Sequence, residues 1–188
     1  MSEQKNETLH QKQTNGRHDL SNFVEGILDG GIKQTLLDFI EYCKANKMSI
    51  RLSSGYLWGV HFKGKRVATI EITVKGMCRG QHTHEDNSWI ISVCYLNVES
   101  PEFENFTKNE NLSDIIWQNI SYCKGCLKTC VANQAPGLDK KIAGKMFHKV
   151  SVCGYIKFKN PAAERLDCVK KLMELRRNKI IFENAKKL

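Results

Sequence analysis

The stretch YLWGVHFKGKRVATIEITV, residues 56–74, decides the fold. Apolar and polar residues alternate on both sides of the turn Lys63-Gly64-Lys65. A period of two is typical of strands that bury one face, and two such runs around a short glycine-containing turn predict a β-hairpin. The predicted buried positions are Tyr56, Trp58, Val60 and Phe62 before the turn, and Ala68, Ile70, Ile72 and Val74 after it.

The same alternation occurs on both sides of this hairpin. One further run holds Met48, Ile50 and Leu52, and another, after a polar loop, holds Trp89, Ile91, Val93 and Tyr95. Short connections between such strands predict an antiparallel meander. Another apolar series suggests a last strand, which would bring the number of strands to four or five; it contains Val150, Val152, Ile156 and Phe158.

Helical patterns flank the predicted sheet. A short helix is expected over residues 23–28, ended by Asp29-Gly30-Gly31, and a longer one over 32–46, whose apolar residues recur at helical spacing. Another is expected over 112–121. Asn160 is predicted as the N-cap of the final helix, with Pro161 in its first position. The predicted fold class is α+β: an antiparallel β-meander of four to five strands packed on two or three helices, with a cysteine-rich metal-binding loop.

The composition predicts one domain and a tail. Residues 1–20 are almost entirely polar and are expected to be a disordered tail, and residues 21–188 a single α+β domain with a cysteine-rich loop at about 121–153. The start of the chain has no apolar segment of the secretory type, and no apolar run approaches the ~18 residues of a membrane span. We therefore expect a cytoplasmic protein without a membrane partner.

The positive charge is concentrated in the last third of the sequence. Residues 1–120 hold 13 Lys and Arg against 15 Asp and Glu, whereas residues 121–188 hold 16 against 5. A basic field attracts anionic partners such as nucleic acid, and it also favours the thiolate form of cysteine.

Three of the eight cysteines form a C-x2-C-x3-C array at Cys123, Cys126 and Cys130. Such spacing lets several sulfurs face one metal ion, and in a reducing compartment it indicates metal or redox chemistry rather than disulfides. A tetrahedral site needs a fourth ligand. Cys153 is the first choice because it would join the array to the last strand, and His148 is the alternative.

Zinc suits a closed site of four sulfurs, and such a site would be structural. An iron–sulfur cluster also takes four cysteines, although the C-x2-C-x2-C ferredoxin spacing is not matched. A redox dithiol at Cys123 and Cys126 is a third interpretation, because C-x2-C serves that chemistry as well.

A second candidate site lies in a polar loop. His82-Thr83-His84-Glu85-Asp86 resembles the H-x-H-x-D core of metallo-β-lactamase-type hydrolases, in which these residues bind catalytic metals. The family's next residue is His, and here it is Asn87. We interpret the match as fortuitous; a metal site of Cys78 with the two histidines lacks further support.

Three aromatic residues, Tyr56, Trp58 and Trp89, fit either the core or a ligand pocket over the sheet. No catalytic triad, phosphate loop or dinucleotide motif is recognised, so no catalytic residue is assigned. The leading hypothesis is an intracellular metal-binding domain, with structural zinc, that senses a small molecule or binds a protein. The alternatives are nucleic-acid binding by the basic last third, and a metal-dependent hydrolase or thiol redox protein.

Three stretches carry a resemblance: Leu37-Asp38-Phe39-Ile40, the hairpin from Trp58 to Lys65, and the segment from Cys123 to Pro161. They resemble uncharacterised small proteins of anaerobic Gram-positive bacteria that are grouped as a domain of unknown function. The resemblance implies a compact antiparallel sheet with packed helices, and it implies no catalytic residues.

Overall fold

The computed structural model describes residues 19–76, 84–123, 137–151 and 154–186, and the backbone alone at 78–79 and 82–83. Within these residues the fold is α+β, as predicted. The main sheet has five antiparallel strands in the order β1-β2-β3-β6-β9. They are β1 (Ser49–Ser54), β2 (Leu57–Phe62), β3 (Lys65–Thr73), β6 (Ser88–Val93) and β9 (Phe158–Lys159).

The register of the central strands follows the predicted alternation. Trp58 is opposite Ile70, and Trp89 is opposite Ile72, so these side chains share one face of the sheet. All four are at most 1% exposed. The predicted meander is therefore confirmed for its first four strands.

Two smaller hairpins accompany the main sheet. One pairs β4 (Cys78–Arg79) with β5 (His82–Thr83), and the other pairs β7 (Leu138–Ile142) with β8 (Lys145–Val150). The second hairpin lies in the region where the sequence predicted a loop. The predicted last strand is also divided, because Val150 ends β8 whereas Phe158 belongs to β9 of the main sheet.

Five helices lie in the described part of the chain: α1 (Leu20–Val24), α2 (Gly30–Ala45), α3 (Pro101–Asn109), α4 (Ser113–Gln118) and α5 (Ala163–Ala185). Helix α2 begins at Gly30, within the predicted turn. Helix α3 was not predicted, although Ser100 is a good N-cap: its hydroxyl accepts a hydrogen bond from the backbone N–H of Phe103, and Pro101 follows it. No described helix has the length and apolar character that a membrane crossing requires.

The prediction for Asn160 was wrong. The N-cap of α5 is Ala162, which makes no side-chain cap bond. The amide oxygen of Asn160 instead accepts a hydrogen bond from the backbone N–H of Trp89 at 2.9 Å, and the backbone N–H of Asn160 donates to the Trp89 carbonyl at 2.9 Å. Asn160 therefore holds the end of β9 against β6.

The core lies between the apolar face of the main sheet and the helices. The ring of Phe23 in α1 is 4.8 Å from that of Trp58, and the ring of Phe39 in α2 is 6.0 Å from that of Trp89. Helix α5 contributes the stripe predicted from its spacing, and its buried members include Leu166, Val169, Leu172, Met173 and Ile180. On the opposite face of strands β1 to β3, Gly59 lies between Arg51 and Thr69.

Candidate metal centre

The first cysteine of the array is held by a short antiparallel pairing. Residues 119–121 pair with residues 155–157, and residues 121–123 pair with residues 149–151, with bridges from Ile120 to Ile156 and from Tyr122 to Val150. The backbone N–H of Cys123 donates to the Lys149 carbonyl at 2.8 Å. Cys123 is thus held at a defined position beside the end of β8.

Gly137, at the other end of residues 124–136, meets the same peptide. Its φ is +92°, and a Cβ at this position would lie 2.4 Å from the carbonyl carbon of Lys149 and 2.5 Å from its oxygen. Only glycine fits here without displacing that backbone. Tyr122 and Leu138 both pair with Val150, so Cys123 and Gly137 approach the end of β8 from its two sides.

Ser121 forms backbone hydrogen bonds with both Ser151 and Tyr155. Its carbonyl accepts a hydrogen bond from the N–H of Ser151 at 2.7 Å, and its own N–H donates to the Tyr155 carbonyl at 2.9 Å. Ser151 and Tyr155, each two residues from position 153 in the sequence, are therefore both held by Ser121, which is two residues before Cys123.

The predicted ligands differ in how far the structure describes them. Cys123 is half-buried and forms no disulfide. Cys126, Cys130 and Cys153 lie outside the described residues. Within the described ranges, no group of three or more His, Cys, Asp or Glu side chains could hold a metal ion. The structure therefore shows the frame around the array but not the four sulfurs together.

His148, the alternative ligand, has a carboxylate partner that the sequence analysis missed. Its Nδ1 donates to Oδ2 of Asp139 at 3.0 Å, and this hydrogen bond lowers the pKa of the Asp139 carboxyl. Histidines that bind metals usually donate their second ring nitrogen to a carboxylate in this way. An exposed ion pair without a metal has the same geometry and contributes little stability, and here both side chains are mostly exposed.

Few side chains are described in the loop that contains His82 and His84. The backbone pairs Arg79 with His82 and Cys78 with Thr83, and the side chains of these four residues are outside the description. His84 is half-buried, and its Nε2 has no partner among the described residues. The hydrolase and Cys78 metal-site hypotheses gain no assembled ligand set from the described residues.

The aromatic residues of the suggested pocket lie in or against the core. Trp58 and Trp89 are at most 1% exposed, and Tyr56 is half-buried with its ring 5.8 Å from that of Phe23. These are the contacts of core aromatic residues. The indole N–H groups of both tryptophans lack a partner in the described part of the chain.

Two cysteines outside the array are core residues. Cys43 in α2 and Cys168 in α5 are at most 1% exposed, and burial raises the pKa of each thiol to about 12. Such thiols are protonated at neutral pH and are poor metal ligands or nucleophiles. Cys43 and Cys168 are therefore core residues and not candidate ligands.

Comparison of the chain with protein-family models, with curated proteins and with solved structures finds no match. The resemblance to a domain of unknown function stays a prediction.

Proposed function

We propose that the chain is a metal-binding protein in which Cys123, Cys126, Cys130 and Cys153 hold one zinc ion with a structural role. The observation that supports this most directly is the pairing of residues 119–121 with 155–157 and of residues 121–123 with 149–151. It brings Cys123 near Ser151 and Tyr155, which lie two residues before and after Cys153, although 30 positions separate the two cysteines in the sequence.

Covalent reach is compatible with a shared ion. Cys153 is two residues from Ser151 and from Tyr155, and two residues of extended chain span about 7 Å. Thiolates bound to one zinc lie about 2.3 Å from the metal. A thiolate at position 153 is thus within reach of one at position 123. The two remaining cysteines belong to residues 124–136, whose flanking residues Cys123 and Gly137 both lie against Lys149.

A site of this kind would stabilise the protein rather than catalyse a reaction. Four thiolates close the tetrahedral shell and leave no position for water or substrate. The metal would join two segments of chain: the array and the connection between β8 and β9. Because the ligands are assembled only in the folded chain, metal binding would add to the free energy of folding.

The test is the metal content of protein purified without oxygen, together with two variants. Wild type is expected to hold about one zinc per chain and to be colourless, and Cys126→Ser to lose the metal and melt at lower temperature. Cys94→Ser is the matched control, because Cys94 is a half-buried thiol that directly follows β6 and lies outside the array. A Cys126→Ser protein that binds zinc and melts like wild type would overturn the proposal.

The fourth ligand is tested separately with Cys153→Ser and His148→Ala. X-ray absorption distinguishes four sulfurs at about 2.3 Å from three sulfurs and one nitrogen at about 2.0 Å. If His148 is the ligand, Asp139→Asn will also weaken zinc binding, because it removes the carboxylate that orients the ring. Iron with sulfide would identify a cluster instead, and a metal-free protein with a reversible dithiol would favour the redox alternative.

Nucleic-acid binding is the weaker candidate, because lysines of the last third already have acidic partners from earlier in the chain. Described ion pairs join Lys140 to Glu99, Lys141 to Glu104, Lys159 to Asp86 and Lys171 to Glu110. These pairs leave fewer free charges for phosphate contacts. Titration with duplex and single strands at low salt tests this alternative, which requires a steep salt dependence.

A further inference from the structure

On the face of the main sheet opposite Trp58, basic and polar side chains surround Gly59. Register places Gly59 between Arg51 on β1 and Thr69 on β3, on the face opposite Trp58 and Val60. The helices cover the Trp58 face, so this group points away from them. We call Arg51, Ser53, Gly59, His61 and Arg66 the Gly59 cluster.

The absence of a side chain at Gly59 lets its neighbours cross the strand. Arg66, on β3, reaches over β2 and donates from Nη2 to the hydroxyl of Ser53 on β1 at 3.1 Å. A Cβ on Gly59 would lie 3.1 Å from Nε of Arg66, 3.2 Å from Oγ of Ser53 and only 2.6 Å from Cε1 of His61. The guanidinium and the imidazole therefore occupy the space above the glycine.

The cluster gathers positive charge without a matching carboxylate. The ion pairs between described side chains do not include Arg51 or Arg66. Glu71 is the one acidic residue of β1, β2 and β3, and it pairs with Leu57, at the other end of β2 from His61. Burial, with Arg66 and Arg51 nearby, lowers the pKa of His61.

We propose that the Gly59 cluster binds an oxyanion of the phosphate type. Guanidinium groups match the tetrahedral oxygens of phosphate through paired N–H donors, and the Ser53 hydroxyl adds a donor beside them. An anion here would offset the repulsion among side chains that the sheet brings together. The site is a ligand site on the sheet and does not rest on the zinc proposal.

The test is calorimetric titration of the full-length protein with inorganic phosphate at constant ionic strength, with chloride as the reference anion. Arg66→Gln should weaken saturable binding by about tenfold or more, because it removes charge-assisted hydrogen bonds. Arg165→Gln is the matched control: it removes one positive charge from an exposed position on α5 and should leave the affinity unchanged.

A second variant separates the site from a general effect of charge. Gly59→Ala leaves every charge in place but puts a methyl group where Arg66 and His61 lie, so it should also weaken phosphate binding. The histidine resonances report the location, since phosphate should shift the His61 Cε1–H signal in wild type. No saturable binding, or equal weakening by Arg66→Gln and Arg165→Gln, would overturn the proposal.

Discussion

Replacing Asn160 tests how the last strand is attached to the sheet. The amide oxygen of Asn160 accepts the backbone N–H of Trp89, whose side chain is fully buried, and Asn160 has a φ of +42°. Asn160→Ala would leave that N–H without its partner, which costs about 1–3 kcal/mol. It would also place alanine in the left-handed region, which costs about 1–2 kcal/mol. The expected loss in the free energy of unfolding is about 2–5 kcal/mol.

A second substitution divides this loss into its two causes. Asn160→Gly removes the same hydrogen bond but tolerates a positive φ, so it should destabilise less than Asn160→Ala, by about 1 kcal/mol or more. Urea denaturation of both variants measures the difference. Asn178→Ala, at an exposed position on α5, is the control and should stay within about 0.5 kcal/mol of wild type.

Two results would refute this account. An Asn160→Ala protein as stable as the control variant would mean that the bond to Trp89 does not hold β9. Equal destabilisation by alanine and glycine would mean that the positive φ carries no strain at this position.

Two further predictions concern buried groups. Burial raises the thiol pKa values of Cys43 and Cys168 to about 12, so both should resist iodoacetamide in native protein at pH 8 and react once the chain is denatured. Mass spectrometry of the labelled peptides measures the extent of reaction. Labelling of the native protein at the rate of the denatured chain would contradict this expectation. Trp117→Phe removes the indole donor to the Ile142 carbonyl at 3.0 Å and should lower the free energy of unfolding by about 0.5–1.5 kcal/mol, whereas an unchanged melting curve would show the bond to be dispensable.

The central strands were predictable because their large buried side chains lie on one face, namely Trp58, Ile70, Ile72, Trp89 and Ile91. From Tyr56 to Val74 the alternation is interrupted by one bulge, so a period of two is visible in the letters. The hairpin of β7 and β8 has no such pattern. Its register shifts between Leu138 and Lys140, and Lys140 lies on the same side as the buried Phe147. A charged residue in an inward position hides a strand from any pattern of apolar residues.

In the candidate site, too, some features can be predicted from the local sequence, whereas others depend on strand pairing. The spacing of Cys123, Cys126 and Cys130 is local and can be read directly. The contact of Cys123 with Lys149 comes from the pairing of two separate segments, and the contact of His148 with Asp139 comes from the register of the β7–β8 hairpin. Register depends on the packing of the whole sheet, so these contacts cannot be predicted from a sequence motif.

Gly137 offers a last test, because it closes the segment that carries the cysteine array. Gly137→Ala would place alanine at an unfavourable φ of +92° and would also push a methyl group into the Lys149 peptide. Gly64→Ala pays a similar conformational cost, with a φ of +77°, but nothing lies within 4 Å of its added Cβ. Both should be destabilised by about 1 kcal/mol through backbone conformation.

The difference between the two variants then measures the contact with Lys149. Gly137→Ala should unfold at clearly lower urea concentration than Gly64→Ala, since a backbone peptide cannot move aside as a flexible side chain can. It should also release zinc faster to a chelator, because Cys123 donates to the same carbonyl that the methyl group displaces. Equal stability and equal zinc release in the two variants would mean that the close approach of Gly137 to Lys149 contributes neither to stability nor to zinc binding.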